Sequence, residues 1–66
     1  MKYQDFVNAF ETAHMNYKLG LLSHVELLQE IALIDEKMRE AGFDVNERSD
    51  AHEEGEKRVK EYFKNK

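Results

Sequence analysis

Cysteine, proline and tryptophan are absent from this chain of 66 residues, and glycine occurs only three times. Without cysteine there is no disulfide and no thiolate metal site. Without proline nothing forces a helix to break or kink. Long apolar runs are missing too, and none approaches the roughly 18 residues of a membrane span. The opening residues Met1-Lys2-Tyr3-Gln4-Asp5-Phe6 hold no apolar core of a secretion signal. The expected setting is soluble and cytoplasmic, with no membrane partner. There is no internal repeat and no low-complexity tract.

Positive charge is scarce over most of the length. Residues 1–56 carry 13 acids against 5 bases, whereas residues 57–66 carry 5 bases against one acid, for a formal net charge of −4. A general nucleic-acid binder is expected to show the opposite sign. The basic end from Lys57 to Lys66 suits a solvated helix terminus that complements the helix dipole. Direct nucleic-acid binding is therefore not expected.

What is present is helical periodicity. At about 100° per residue, Tyr3, Phe6, Val7, Phe10, Ala13, His14 and Tyr17 fall on one stripe, which predicts a helix over about 3–19. Gly20 follows as its left-handed stop. Ser23-His24-Val25-Glu26 is a capping box, with Leu22 and Leu27 at the positions of a hydrophobic staple. The second helix then runs over about 24–41. Ala41-Gly42-Phe43 reads as a Schellman stop, with Phe43 folding back onto the helix end. A third helix is expected over about 50–64, starting between Asn46 and Asp50, with Asp50 and Glu53 as a capping box and Asn46 as the alternative cap. Ala51, Gly55, Val59 and Tyr62 share a face there, with Phe63 at its margin. Gly55 beside Ala51 implies close approach of another helix. Glu53–Lys57, Glu54–Arg58 and Glu56–Lys60 are i,i+4 pairs in the favourable order.

The joint between the first two helices is about three residues, and a joint that short makes antiparallel neighbours. The expected facing pairs are Tyr17 with Val25, His14 with Leu28, Phe10 with Ala32, and Phe6 with Asp35. The fold class is all-α: one domain over 1–66, a helical hairpin plus a third amphipathic helix, forming a small three-helix bundle completed by dimerisation. Chains this short bury only about 60% of their unfolded surface, which is why a second subunit is expected to help.

The chemical motifs are weak. There is no glycine-rich phosphate loop and no nucleophile elbow. His52-Glu53-Glu54-Gly55-Glu56 begins like a zinc-protease helix but has Glu56 where the second histidine belongs. Asp44-Val45-Asn46-Glu47-Arg48 begins like a calcium loop, then fails at Arg48, Ser49 and Gly55. Three histidines, His14, His24 and His52, lie on or beside apolar stripes, where convergence on zinc is one reading and separate, partly buried, hydrogen-bonded rings the favoured one. His14, in the middle of its stripe, is a candidate for pH-sensitive association. In a helix-turn-helix domain the third helix would meet phosphate, yet here it opens with Asp50, Glu53, Glu54 and Glu56. No catalytic residue, cofactor site or metal site is assigned.

The second helix is too apolar for a lone surface helix. Leu27, Ile31, Ile34, Met38 and Ala41 form a heptad seam, and Val25, Leu28 and Ala32 a second flank. Asp35 falls between them and needs a partner, for which Arg39 is the nearest candidate. Leu33 stands alone on the polar side. Candidate protein contacts are Ile31, Leu33, Ile34, Asp35 and Met38, with Met15 and Tyr62. A separate acidic array comprises Glu26, Glu30, Glu36, Glu40, Glu47, Asp50, Glu53 and Glu54.

In size, acidity and lack of chemical motifs the chain resembles small helical regulators encoded by phages and bacteria, which bind and inhibit a larger host protein. That resemblance is one of general character, and it implies a protein-binding regulator or inhibitor, expected to be a homodimer through its second helix. The alternatives are a structural or assembly subunit that only oligomerises, and a DNA mimic using the acidic array.

Overall fold

The first helix, α1, spans Tyr3–Lys18, and its aromatic stripe is the reason the rest of the chain folds around it. In the computed structural model, which describes residues 2–65, α2 spans His24–Glu40 and α3 spans Val45–Lys64. Phe6, Val7, Phe10, Ala13 and His14 of α1 are all buried. Leu27, Ile34 and Met38 of α2 pack onto one side of that stripe. Ala51, Gly55 and Val59 of α3 close over the other. Helix α1 is thus a spine that both other helices lean on, while α2 and α3 touch each other little.

The helix ends follow local chemistry. The α1 amide at Gly20 donates to the Tyr17 carbonyl (3.1 Å) and that at Leu21 to the Asn16 carbonyl (2.8 Å), with Gly20 at φ +78. That is a Schellman stop. The same two bonds close α2, from Gly42 to Arg39 (3.0 Å) and from Phe43 to Met38 (3.1 Å), with Gly42 at φ +97. At the start of α2 the Ser23 hydroxyl accepts from the Glu26 amide (3.1 Å) and the Glu26 carboxylate accepts from the Ser23 amide (2.9 Å). Phe43 then folds back against α1, 6.0 Å from the Tyr3 ring and edge-on to Phe6 at 5.7 Å.

Helix α3 starts earlier than its sequence suggests. Its cap is Asp44, not Asn46 or Asp50: the Asp44 carboxylate accepts from the Glu47 amide (2.8 Å) and the Glu47 carboxylate from the Asp44 amide (3.0 Å). Asp44-Val45-Asn46-Glu47 is itself a capping box, hidden by its likeness to a calcium loop. The turn from α2 is correspondingly tight, and a second contact secures it. Arg48 donates to the Asp35 carboxylate (2.9 Å) and to the Phe43 carbonyl (2.9 Å). Asp35 therefore finds its partner on α3. Arg39 instead pairs with Glu36 at 2.6 Å.

The α1–α2 hairpin is antiparallel, since Tyr17 meets His24 at one end and Phe6 meets Phe43 at the other. The facing pairs differ from those expected because α2 is turned about its axis. The heptad seam faces α1, so Leu27 rather than Val25 or Leu28 enters the core. Val25, Leu28 and Ala32 look outward instead. Gly55 explains how α3 comes so near to α1: a Cβ there would stand 2.8 Å from the Glu11 amide nitrogen and 3.0 Å from the Val7 carbonyl oxygen. Arg58 fastens the outer edge of the same junction, donating to Glu11 (3.3 Å), Asn8 (3.3 Å) and Glu54 (3.0 Å).

Candidate functional site

Two features remain once the bundle is built. One is a histidine pair between α1 and α3. The spine carries His14 into the helix junction, where it is 8% exposed. His52 comes from the facing side of α3, its ring 4.9 Å from that of Phe10. The two Nε2 atoms are 2.8 Å apart and the ring centres 5.0 Å apart, with the planes within 22° of parallel. With the ring centres so much farther apart than the nitrogens, the rings meet edge to edge, not face to face. One imidazole donates its N–H to the lone pair of the other.

Glu56 stands one helical turn beyond His52, its carboxylate oxygen 3.9 Å from His14 Nε2. The second carboxylate oxygen pairs with Lys60 at 3.4 Å. Burial lowers the proton affinity of His14, and the neighbouring His52 lowers it further, with Lys60 and Lys18 acting in the same direction. Glu56 opposes them. The ring is thereby kept neutral near neutral pH. A surface cleft of about 190 Å³ opens beside the pair, bordered by His24 and Leu27 of α2 as well as Glu56 and Lys60 of α3. So the histidines are not separate: His14 and His52 are in contact, and His24 lines the same cleft.

The other feature is the outward surface of α2. Val25 is 62% exposed, Leu28 53% and the preceding Leu21 69%. Ala32 is exposed beside them and Ile31 half-buried at the edge of the core. On the helix, Val25, Leu28 and Ala32 lie within a narrow arc. Toward the C-terminal end of α2 that arc gives way to Asp35, Glu36 and Arg39, so the apolar part occupies the N-terminal half.

The residues singled out as protein contacts do not form one surface. Ile34 and Met38 are in the core, so neither is available to a partner, and Met15 is half-buried. The structure packs Leu27, Ile34 and Met38 of the heptad seam into the core against α1. Asp35 is engaged by Arg48. Leu33 and Tyr62 are exposed, on different helices. Of the acidic array, Glu26 and Glu47 serve as caps, Glu36 holds Arg39 and Glu54 holds Arg58. Glu30, Glu40, Asp50 and Glu53 face solvent.

The expected pairing set Val25, Leu28 and Ala32 against α1, whereas the structure gives that place to the seam and leaves the flank exposed. No family model, curated protein or solved structure matches this chain. Among the described residues no helix is long and apolar enough to cross a membrane.

Proposed function

We propose that this protein works by contact, as a small regulator or inhibitor that docks on another protein through the outward face of α2. The observation that carries this reading is the exposure of Leu21, Val25 and Leu28 after α1 has taken the seam and α3 has gone to the far side of the spine. Two large aliphatic side chains on the N-terminal half of α2, with Leu21 in the joint just before it, are the kind of exposed apolar group that marks an interaction site. An apolar helix face laid against a complementary groove is a common recognition mode. The acids along the other faces of α2 favour a partner with a basic rim, which raises the rate of encounter more than the affinity.

The DNA-mimic reading is weaker, because four of the eight array carboxylates are already committed to helix caps or internal cations. The test is a comparison of wild type with Leu28→Asp. Capture of a protein from cell lysate by the wild type, lost in Leu28→Asp and retained in Leu33→Asp, supports docking on a different protein. Concentration-dependent sedimentation of the pure protein, abolished by the same Leu28 change, identifies the partner as a second copy. A monomer at tens of micromolar that captures nothing removes the reading.

A further inference from the structure

His14, His52 and Glu56 each place a ligand atom within 4.8 Å of the others. We propose that these three side chains bind a single divalent transition-metal ion of the zinc class. The ligand atoms are Nε2 of His14, Nε2 of His52 and a carboxylate oxygen of Glu56, and the fourth position faces the cleft. This site lies between α1 and α3, apart from the docking face of α2, and stands independently of it.

The donor set argues for the class of ion. Two imidazoles and one carboxylate suit zinc, cobalt and nickel, whereas calcium and magnesium take oxygen ligands. The spacing supports it. His52 and Glu56 are i,i+4 on one helix and present their side chains to the same spot. His14 reaches that spot from a second helix, so the ion would clip α3 to the spine. Departure from the two-histidine helix motif at position 56 replaces one zinc ligand type by another.

The His14–His52 and His14–Glu56 separations lie near coordination values, and His52 and Glu56 place ligand atoms within 4.8 Å of each other. Around a tetrahedral ion with Zn–N distances of about 2.0–2.1 Å, two ligand nitrogens stand about 3.3 Å apart. The two Nε2 atoms, now 2.8 Å apart, must part slightly and turn from facing each other toward a common point. The Glu56 oxygen, at 3.9 Å from His14 Nε2, must come in by a similar amount. Its side chain is 42% exposed and is held by the more exposed Lys60, so it is the mobile member. His14, fixed by the core, is the rigid one, so the turn of the rings falls mainly on the half-buried His52. The proton shared between the two Nε2 atoms moves to Nδ1 of its own ring, leaving both imidazoles neutral and both Nε2 lone pairs on the ion. No proton is lost to solvent from the pair in that exchange. Three protein ligands and a position open to the cleft leave room for one water or small anionic ligand.

The experiment uses the full chain freed of metal by chelation, titrated with zinc sulfate in a calorimeter and with cobalt chloride by visible absorption. The expected result is one saturable site per chain, d–d absorption of a low-coordinate cobalt site, and a melting temperature raised by zinc and restored by chelator. His14→Gln and His52→Gln abolish binding, Glu56→Gln weakens it, and His24→Gln leaves it unchanged. Circular dichroism checks that each variant folds. Glu56→Gln alters a part-exposed side chain and keeps the test decisive even where His14→Gln does not fold. Absence of saturable zinc binding by the wild type overturns the proposal, as does binding by Glu56→Gln equal to the wild type, or loss in His24→Gln.

Discussion

Gly55 lies so close to Phe10 that a Cβ at position 55 would stand 2.7 Å from the Phe10 Cβ. The neighbouring contacts are backbone atoms of Glu11 and Val7, which cannot swing away as a side-chain tip would. Replacing a mid-helix glycine by alanine ordinarily gains about 1 kcal/mol of helix propensity. Here overpacking outweighs it: Gly55→Ala is expected to lower stability by about 1–3 kcal/mol, read as a lower urea midpoint at unchanged slope. An increase in stability would mean that α1 and α3 are not in this close contact.

The start of α3 can be tested by its cap. Asp44→Ala removes the acceptor of the Glu47 amide and is expected to cost about 1 kcal/mol in chemical denaturation. Asp50→Ala, on an exposed turn inside the helix, is expected to stay within about 0.5 kcal/mol of wild type. The reverse order would return the helix start to position 50.

Acid should weaken the metal-free fold through His14. Burial and the neighbouring His52 hold its folded proton affinity below the ordinary value of 6.5. Protonation therefore favours the unfolded chain. The contribution of a neutral His14 is complete above about pH 6.5 and is lost as pH falls from there through the lower folded value. Two imidazolium rings would also point N–H groups at each other across the 2.8 Å contact. In chelator, the melting temperature of the wild type is expected to drop more between pH 7.5 and 5.5 than that of His14→Gln. Equal drops would show that His14 is not the source of the acid sensitivity.

The two sides of α2 should respond oppositely to mutation. Met38 is fully buried, and Met38→Ala is expected to cost about 2–5 kcal/mol, enough to unfold a small bundle. Leu28→Asp sits on the outward face and is expected to change stability by no more than about 0.5 kcal/mol. Thermal melts of the two variants side by side check the turn of α2 about its axis, since a destabilised Leu28→Asp would put that residue inside.

Residues 41–43 and 23–26 were legible because a helix end is decided by the few residues that make it. Both Schellman stops and the Ser23 box depend on neighbours within six positions, and they stand as the sequence reads. The three helices and their antiparallel first pair follow from periodicity and the short joint at Gly20. The rotation of α2 was not legible. Both seam and flank are apolar, and the choice between them is made by packing against α1, which the local pattern of α2 does not encode. The Asp35–Arg48 pair was missed for the same reason: Arg39 was near in sequence, but the α2–α3 turn brings Arg48 nearer in space. The meeting of His14 with His52 spans 38 positions and rests on the close approach at Gly55, which the sequence announced only as a gap to be filled.

With α2 and α3 each resting on α1 and scarcely on each other, the fold has the layout of a hub with two leaves. Each leaf is expected to open largely on its own, apart from the Asp35–Arg48 pair at the turn that joins them. Opening the hub exposes both at once. The slowest amide protons to exchange with solvent are therefore expected in the middle turns of α1, from Phe6 to His14, where exchange would report global unfolding, whereas the amides of the two leaves would report separate partial openings.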